Sequence, residues 1–135
     1  MRFKPYWQDK IKKMRRNNEE QRLQEWFALW LNSKNILFNA SMAGVNLGIA
    51  TAKARKQMGA KAGFPDIFIY EPRGGFNGMA IELKAKGGTM TNEQTDWSNR
   101  LTDKKYYSLI MSGKLKFYEA QKYLEKVTTE YLSLK

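Results

Sequence analysis

Two short apolar runs around a single turn constrain this chain more than any other feature. Ile67-Phe68-Ile69-Tyr70 is followed by Pro72-Arg73-Gly74-Gly75 and then by Met79-Ala80-Ile81-Glu82-Leu83-Lys84. A Pro- and Gly-rich segment between two β-prone runs signals a turn, so the pair reads as an antiparallel hairpin. The first run is apolar on both faces, as in a central strand covered on each side. The second alternates, with Met79, Ile81 and Leu83 on one face and Ala80, Glu82 and Lys84 on the other.

Facing residues of an antiparallel pair have numbers of constant sum. A turn centred on Gly74 sets that sum at 148 and puts Asp66 opposite Glu82, with Cβ atoms about 5 Å apart; a bulge in the loop shifts this register by one. Lys84 follows on the face of Glu82, roughly 6.6 Å along the strand. Two carboxylates and a lysine thus interrupt strands that otherwise read as buried, where unpartnered charge is costly. Carboxylates this close repel, and one protonates unless a cation lies between them. One reading is a divalent metal site. The other is a structural salt bridge between Lys84 and one of the acids on a partly exposed sheet face.

Composition narrows the chemistry. The chain has 135 residues, enough for one domain, and contains neither Cys nor His. Thiolate zinc sites, Cys nucleophiles, Ser-His-Asp triads and histidine bases are therefore excluded. Catalysis falls to carboxylates, lysines, hydroxyls or a metal on oxygen ligands, and oxygen ligands with water positions suit Mg2+ or Mn2+. Such an ion lowers the pKa of a bound water and stabilises charge on a phosphodiester, while Lys84 is placed to orient the water or steady the developing charge. The net charge of +11 and pI near 9.9 point to a polyanionic partner, nucleic acid being the commonest. No apolar run approaches the roughly 20 residues that span a bilayer, and no signal-peptide core follows the basic first stretch. Without disulfides the chain suits a reducing compartment. A cytoplasmic location, with no membrane and no small-molecule cofactor, is expected.

Residues 1–17 read as a basic arm, solvated or leading into a helix, before a single domain over 18–135. Arg15 and Arg16 within it are candidate phosphate contacts, against the alternative of a merely soluble terminus. From about Asn18, Leu23, Trp26, Phe27, Trp30 and Leu31 form the stripe of an amphipathic helix. Glu19 and Glu20 both flank that stripe, and Glu25 points away from it. Ile36 to Asn39 is a short strand and Ala43 to Asn46 a loop. Leu47, Ala50, Thr51, Ala54 and Met58 then repeat at helical spacing, with Gly59 as the stop. Lys53, Arg55, Lys56 and Lys61 have no acid among them, which suits a phosphate-contacting surface or, more plainly, a solvated face. Thr91 to Gln94 opens a helix whose inner face carries Trp97 and Leu101. Gln94 there fits either a capping box with Thr91 or a role at the acidic site. Tyr106 to Met111 reads as a strand, and Phe117, Ala120, Gln121, Leu124, Val127 and Tyr131 mark a last helix. Helix, strand, helix, hairpin, helix, strand, helix is the order of a mixed-sheet α/β domain.

Gly63-x-Pro65-Asp66, Ile81-Glu82-Leu83-Lys84, Gly87-Gly88 and Thr91-x-x-Gln94-x-x-Trp97, with Glu20-x-x-Leu23-Gln24 upstream, resemble the VRR-NUC domain. This is the virus-type replication-repair branch of the PD-(D/E)XK nucleases, and the resemblance runs from about Glu19 to Tyr131. It implies a restriction-endonuclease-like mixed sheet flanked by helices, and a metal-dependent phosphodiesterase acting on DNA. It further implies that Asp66 and Glu82 bind Mg2+, with Mn2+ substituting, and that the Leu83 backbone carbonyl joins them. Lys84 would assist the attacking water, Glu20 complete the site and Gln94 support it. Small stand-alone members of viral type are associated with branched DNA such as Holliday junctions and act as dimers, so a homodimer on four-way DNA is the implied assembly. In one departure, Lys104-Lys105 precedes the Tyr106 strand where many members carry a glycine. Two competing readings are a non-catalytic DNA-binding module with a nuclease-like fold and a nuclease on flaps, single-stranded DNA or RNA. The second would use Trp7, Trp26, Trp30 or Trp97 for stacking, yet the last three fall on helix core faces.

Overall fold

The expected hairpin lies at the centre of a four-stranded sheet. The computed structural model describes residues 6–41 and 48–135, without the side chains of residues 6, 7, 11 and 13–17. In chain order the elements are α1 (Tyr6–Ser33), β1 (Phe38–Ala40), α2 (Ile49–Gln57), β2 (Ile67–Ile69), β3 (Met79–Glu82), α3 (Asn92–Asp103), β4 (Tyr107–Ile110) and α4 (Phe117–Leu132). This is the order read from the sequence. Helix α1, however, begins at Tyr6 and not near Asn18, so the basic stretch enters it directly. No Gly or Pro interrupts residues 6–33, and a helix nucleated by its packed half propagates until something stops it. Strand β1 starts two residues later than expected. The expected loop at residues 43–46 and Leu47 lie outside the described residues.

Strands β2 and β3 pair antiparallel as Ile67↔Ile81, Phe68↔Ala80 and Ile69↔Met79, the expected sum of 148. The turn that delivers this register is not the one assumed. Arg73 and Phe76 exchange backbone hydrogen bonds of 3.2 and 2.8 Å around Gly74-Gly75, whose φ values of 57 and 83° are those of a two-residue turn with both residues left-handed. That turn alone gives a sum of 149. Three residues then separate it from the ladder on the β2 side (Tyr70, Glu71, Pro72) and two on the β3 side (Asn77, Gly78), and the extra residue restores 148. Pro72, which cannot donate to a ladder, sits in this irregular stretch.

Strand β1 adds antiparallel to β2, and β4 adds parallel to β3. The parallel pair needs a long crossover, which α3 supplies. Ile67, Ile69, Met79, Ile81 and Leu83 face the larger core against Leu23, Phe27 and Leu31 of α1 and Leu124 and Tyr131 of α4. Phe68 and Ala80 face a smaller cluster with Leu101 of α3, edged by Phe64, Trp97 and Tyr106. Both sheet faces are thus covered, and the face of Phe68 and Ala80 continues into Asp66, Glu82 and Lys84. Trp26, Trp30 and Trp97 are half-buried against these clusters, as core-facing residues should be. The side chain of Trp7 is outside the description.

Helix α2 behaves differently. It forms where the spacing of Ala50, Thr51, Ala54 and Met58 predicts, yet buries none of its residues, with Ile49 91% and Met58 86% exposed. Among the described residues no helix is long and apolar enough to cross a membrane.

Candidate active site

Strand β3 ends at Glu82, but the chain stays buried through Ala85, and its edge organises the acids. Asp66 Oδ2 accepts the Leu83 N–H at 2.8 Å, and Glu20 Oε1 accepts the Ala85 N–H at 3.3 Å. The Glu82 carbonyl points the other way, accepting Met111 N–H from the β4 side. Because successive residues of an extended chain present their peptide groups to alternate edges, the Leu83 carbonyl faces the Asp66 side. Glu20 reaches this edge from α1 because it shares a face with Leu23 and Phe27, three and seven residues on. The choice between Glu19 and Glu20 therefore falls to Glu20.

On the adjoining face Glu82, Lys84 and Gln94 form a closed set. Lys84 Nζ lies 3.4 Å from Glu82 Oε1 and donates to Gln94 Oε1 at 3.0 Å, while Gln94 Nε2 donates to Glu82 Oε1 at 2.6 Å. Gln94 is also the capping-box residue of α3. Its Oε1 accepts the Thr91 N–H at 2.9 Å, and Thr91 Oγ1 accepts the Gln94 N–H at 3.1 Å. The cap and the contacts with Lys84 and Glu82 coexist, since an amide oxygen has two lone pairs and the amide nitrogen is left for Glu82.

The motif around Asp66 explains how α3 comes to deliver Gln94. Gly63 has φ of +80°, and a Cβ there would lie 2.5 Å from the Glu93 carbonyl carbon and 2.6 Å from the Gln94 nitrogen. Only glycine lets the segment before Pro65-Asp66 lie on the start of α3. Trp97 secures the same contact, donating from Nε1 to the Ala62 carbonyl at 3.1 Å and meeting the Phe64 ring edge-on at 5.2 Å.

Glu82 and Lys84 are each only 6% exposed. Burial, with the neighbouring Asp66 carboxylate adding to it and Lys84 opposing it, pushes the Glu82 carboxyl up to about 8. Asp66 is also raised, by burial first and by the charge of Glu20, with the Leu83 N–H pulling the other way. The site is short of positive charge, and its donors are all oxygens. Among the described residues no three acids converge into a ready-made metal cage. Mg2+ does not ask for one: it binds through one or two carboxylates and keeps several waters. Asp66, Glu82 and the Leu83 carbonyl fit that requirement, with Glu20 beside them.

The basic candidates lie outside β2, β3 and α3. Lys53, Arg55 and Lys56 lie on α2 and Lys61 just beyond it, and no hydrogen bond or ion pair among the described residues links Lys53, Lys56 or Lys61 to the acids. Arg15 and Arg16 belong to α1, and their side chains are outside the description. The sequence reading overlooked the segment after β4. Gly113 O accepts the Gly87 N–H at 2.7 Å, bringing Ser112-Gly113-Lys114 beside the residues that follow Lys84. The available signal was the parallel pairing itself, which sets the carboxyl ends of β3 and β4 side by side, where open α/β sheets place their ligands.

A mixed sheet covered by helices on both faces, with an acid opposite a Glu-x-Lys pair at the end of its central hairpin, defines a nuclease-like α/β fold. The chain matches the VRR-NUC domain over residues 6–115 and belongs to that family. Among solved structures it is similar to one described as a VRR_NUC domain protein, at 25% identity and a TM-score of 0.55, over 73% of this chain and 69% of the other. None of the curated proteins matches it.

Proposed function

We propose that this chain is a Mg2+-dependent endonuclease that hydrolyses phosphodiester bonds in branched or structured DNA, in the manner of a Holliday-junction resolvase. One observation carries the reading: Lys84, buried beside Glu82 and Asp66, is held in place by Gln94. A lysine retained only to neutralise the acids would leave the site balanced, yet both carboxyls are still displaced upward. Mg2+, when bound, would supply a water of lowered pKa and offset charge on the phosphodiester. Asp66, Glu82 and the Leu83 carbonyl are the groups that would hold it, with Glu20 beside them. Lys84 orients the attacking water and steadies negative charge on the phosphate, its ammonium already fixed by two acceptors. The +11 net charge, with Lys53, Arg55, Lys56, Lys61, Arg15 and Arg16 as the candidate phosphate contacts, draws in the polyanion. A homodimer would match the two-fold character of a four-way junction.

The test is incubation of a labelled four-way junction and a matched linear duplex with Mg2+, and separately with Ca2+. Cleavage of the junction in Mg2+ is expected, and no cleavage of either DNA at high protein would sink the proposal. Asp66→Ala and Glu82→Ala should abolish cleavage while largely sparing binding. Equal loss of both would make the acids structural.

A further inference from the structure

Two lysines absorbed by neither the core nor the acidic cluster lie on turns beside that cluster. The chain leaves Lys84 through a tight turn, in which the Gly88 N–H reaches the Ala85 carbonyl at 2.9 Å and Lys86 occupies an exposed corner. After β4 a second turn forms, tied by Lys114 N–H to Ser112 Oγ at 3.2 Å, with Lys114 exposed at its tip. The turns are stitched together. Gly87 N–H donates to Gly113 O at 2.7 Å, and Gly113 lies so close to Gly88 that a Cβ there would run into the Gly88 carbonyl. The first turn also lies against the cluster: a Cβ on Gly88 would lie 3.1 Å from Glu20 Oε1 and 3.3 Å from Lys84 Cδ.

We infer that Lys86 and Lys114 form a phosphate-gripping lip of the cleavage site, holding the nucleic-acid backbone beside the bond to be cut. This rests on the endonuclease reading and adds residues that position its substrate. No acid occurs in residues 83–92 or 111–118, and neither lysine has an ion-pair partner among the described residues. Exposed and without such a partner, their ammonium groups are available to a phosphate, and two neighbouring positive charges raise the local potential that draws one. The exposed side chains contribute nothing to the core. What the fold does supply is a fixed spacing between their backbones, the kind of rigid support a positioning site requires. Lysine heads are point charges suited to phosphate oxygens and read no base.

The experiment uses the full chain, its Lys86→Gln/Lys114→Gln double variant and the corresponding double Lys→Arg variant. Each is titrated in Ca2+ with a fluorescently labelled four-way DNA junction and a matched duplex, over a range of salt concentrations. The Gln variant should bind roughly tenfold more weakly at low salt, with a slope of log affinity against log salt shallower by about 2. Its melting temperature should not change, and the Arg variant should keep the slope. Unchanged affinity and slope in the Gln variant overturn the lip; if the unmodified protein cleaves in Mg2+, the nuclease reading survives that result. A fall in melting temperature that parallels the loss of binding also overturns it, since the lysines would then be structural. Weakened binding by the Gln variant, with no cleavage by the unmodified protein, supports the lip as a nucleic-acid surface and defeats the nuclease reading alone.

Discussion

Replacing Glu82 by Gln should make the metal-free protein more stable at alkaline pH, the reverse of what losing a salt-bridge partner usually does. The carboxyl is held at about 8 in the folded chain against an ordinary 4.5. A group raised in this way favours the fold fully below its unfolded value and loses that contribution as pH climbs through the folded value. Between those limits the native state carries one proton more than the unfolded state, so unfolding free energy falls by about 1.36 kcal/mol per pH unit. From pH 5 to pH 8 the unmodified protein should lose roughly 3 to 4 kcal/mol through this one group. Lys84 is already counted, since its attraction is one of the influences that set the value. Gln mimics the protonated acid at every pH and removes the slope. Urea melts of both proteins in EDTA at pH 5, 6.5 and 8 measure it, with the two stabilities diverging as pH rises. Mg2+ should restore the unmodified protein at pH 8 and do much less for the variant, because only the former has the carboxylate to bind it. Stabilities that run parallel from pH 5 to 8 would show that the Glu82 charge is solvated and not trapped.

The same displacement predicts that Mg2+ binding at pH 7 releases close to one proton per ion, read by calorimetry in buffers of different ionisation enthalpy. Gly63→Ala adds a methyl group 2.5 Å from the backbone of Glu93 at a φ of +80°; left-handed strain alone costs about 1–2 kcal/mol, so urea melts should show at least that loss, with cleavage reduced because Gln94 moves with α3. Lys105 occupies a left-handed position, φ 65°, with its carbonyl held by Asn77 N–H at 2.7 Å, and Lys105→Gly should stabilise the protein by about 1 kcal/mol in chemical denaturation. Thr128 is fully buried, and its hydroxyl has no partner among the described residues. Thr128→Val keeps the shape and should gain about 1 kcal/mol, visible as a higher melting temperature.

Much of this architecture was legible in the sequence because its rules are local. A side-chain period of two, read along Met79 to Lys84, assigned the faces of β3, and the stripe from Leu23 to Leu31 assigned the core face of α1. The register of the hairpin was also read correctly, although the turn is displaced and an extra residue before Arg73 compensates. Register was held by burial: a slip of one would turn Ile67, Ile69, Met79 and Ile81 out of the core. Helix α2 marks the limit of what periodicity carries. Periodicity predicts its helix but not its surroundings, and a pattern that elsewhere marks a core face here meets solvent.

The residues themselves set the chemistry available: oxygen donors, a lysine two places after Glu82 and an excess of positive charge, with no imidazole or thiol. They also determined the strand on which that chemistry sits, through alternation that chain geometry enforces over a few residues. Only the packing of the elements brings Glu20 and not Glu19 to Ala85, 65 residues away, sets the capping Gln94 against Glu82 and Lys84, and joins the turns of Lys86 and Lys114. Those contacts depend on how helices and strands pack across the sheet, where a few degrees of rotation choose between neighbouring side chains. No local periodicity carries that choice.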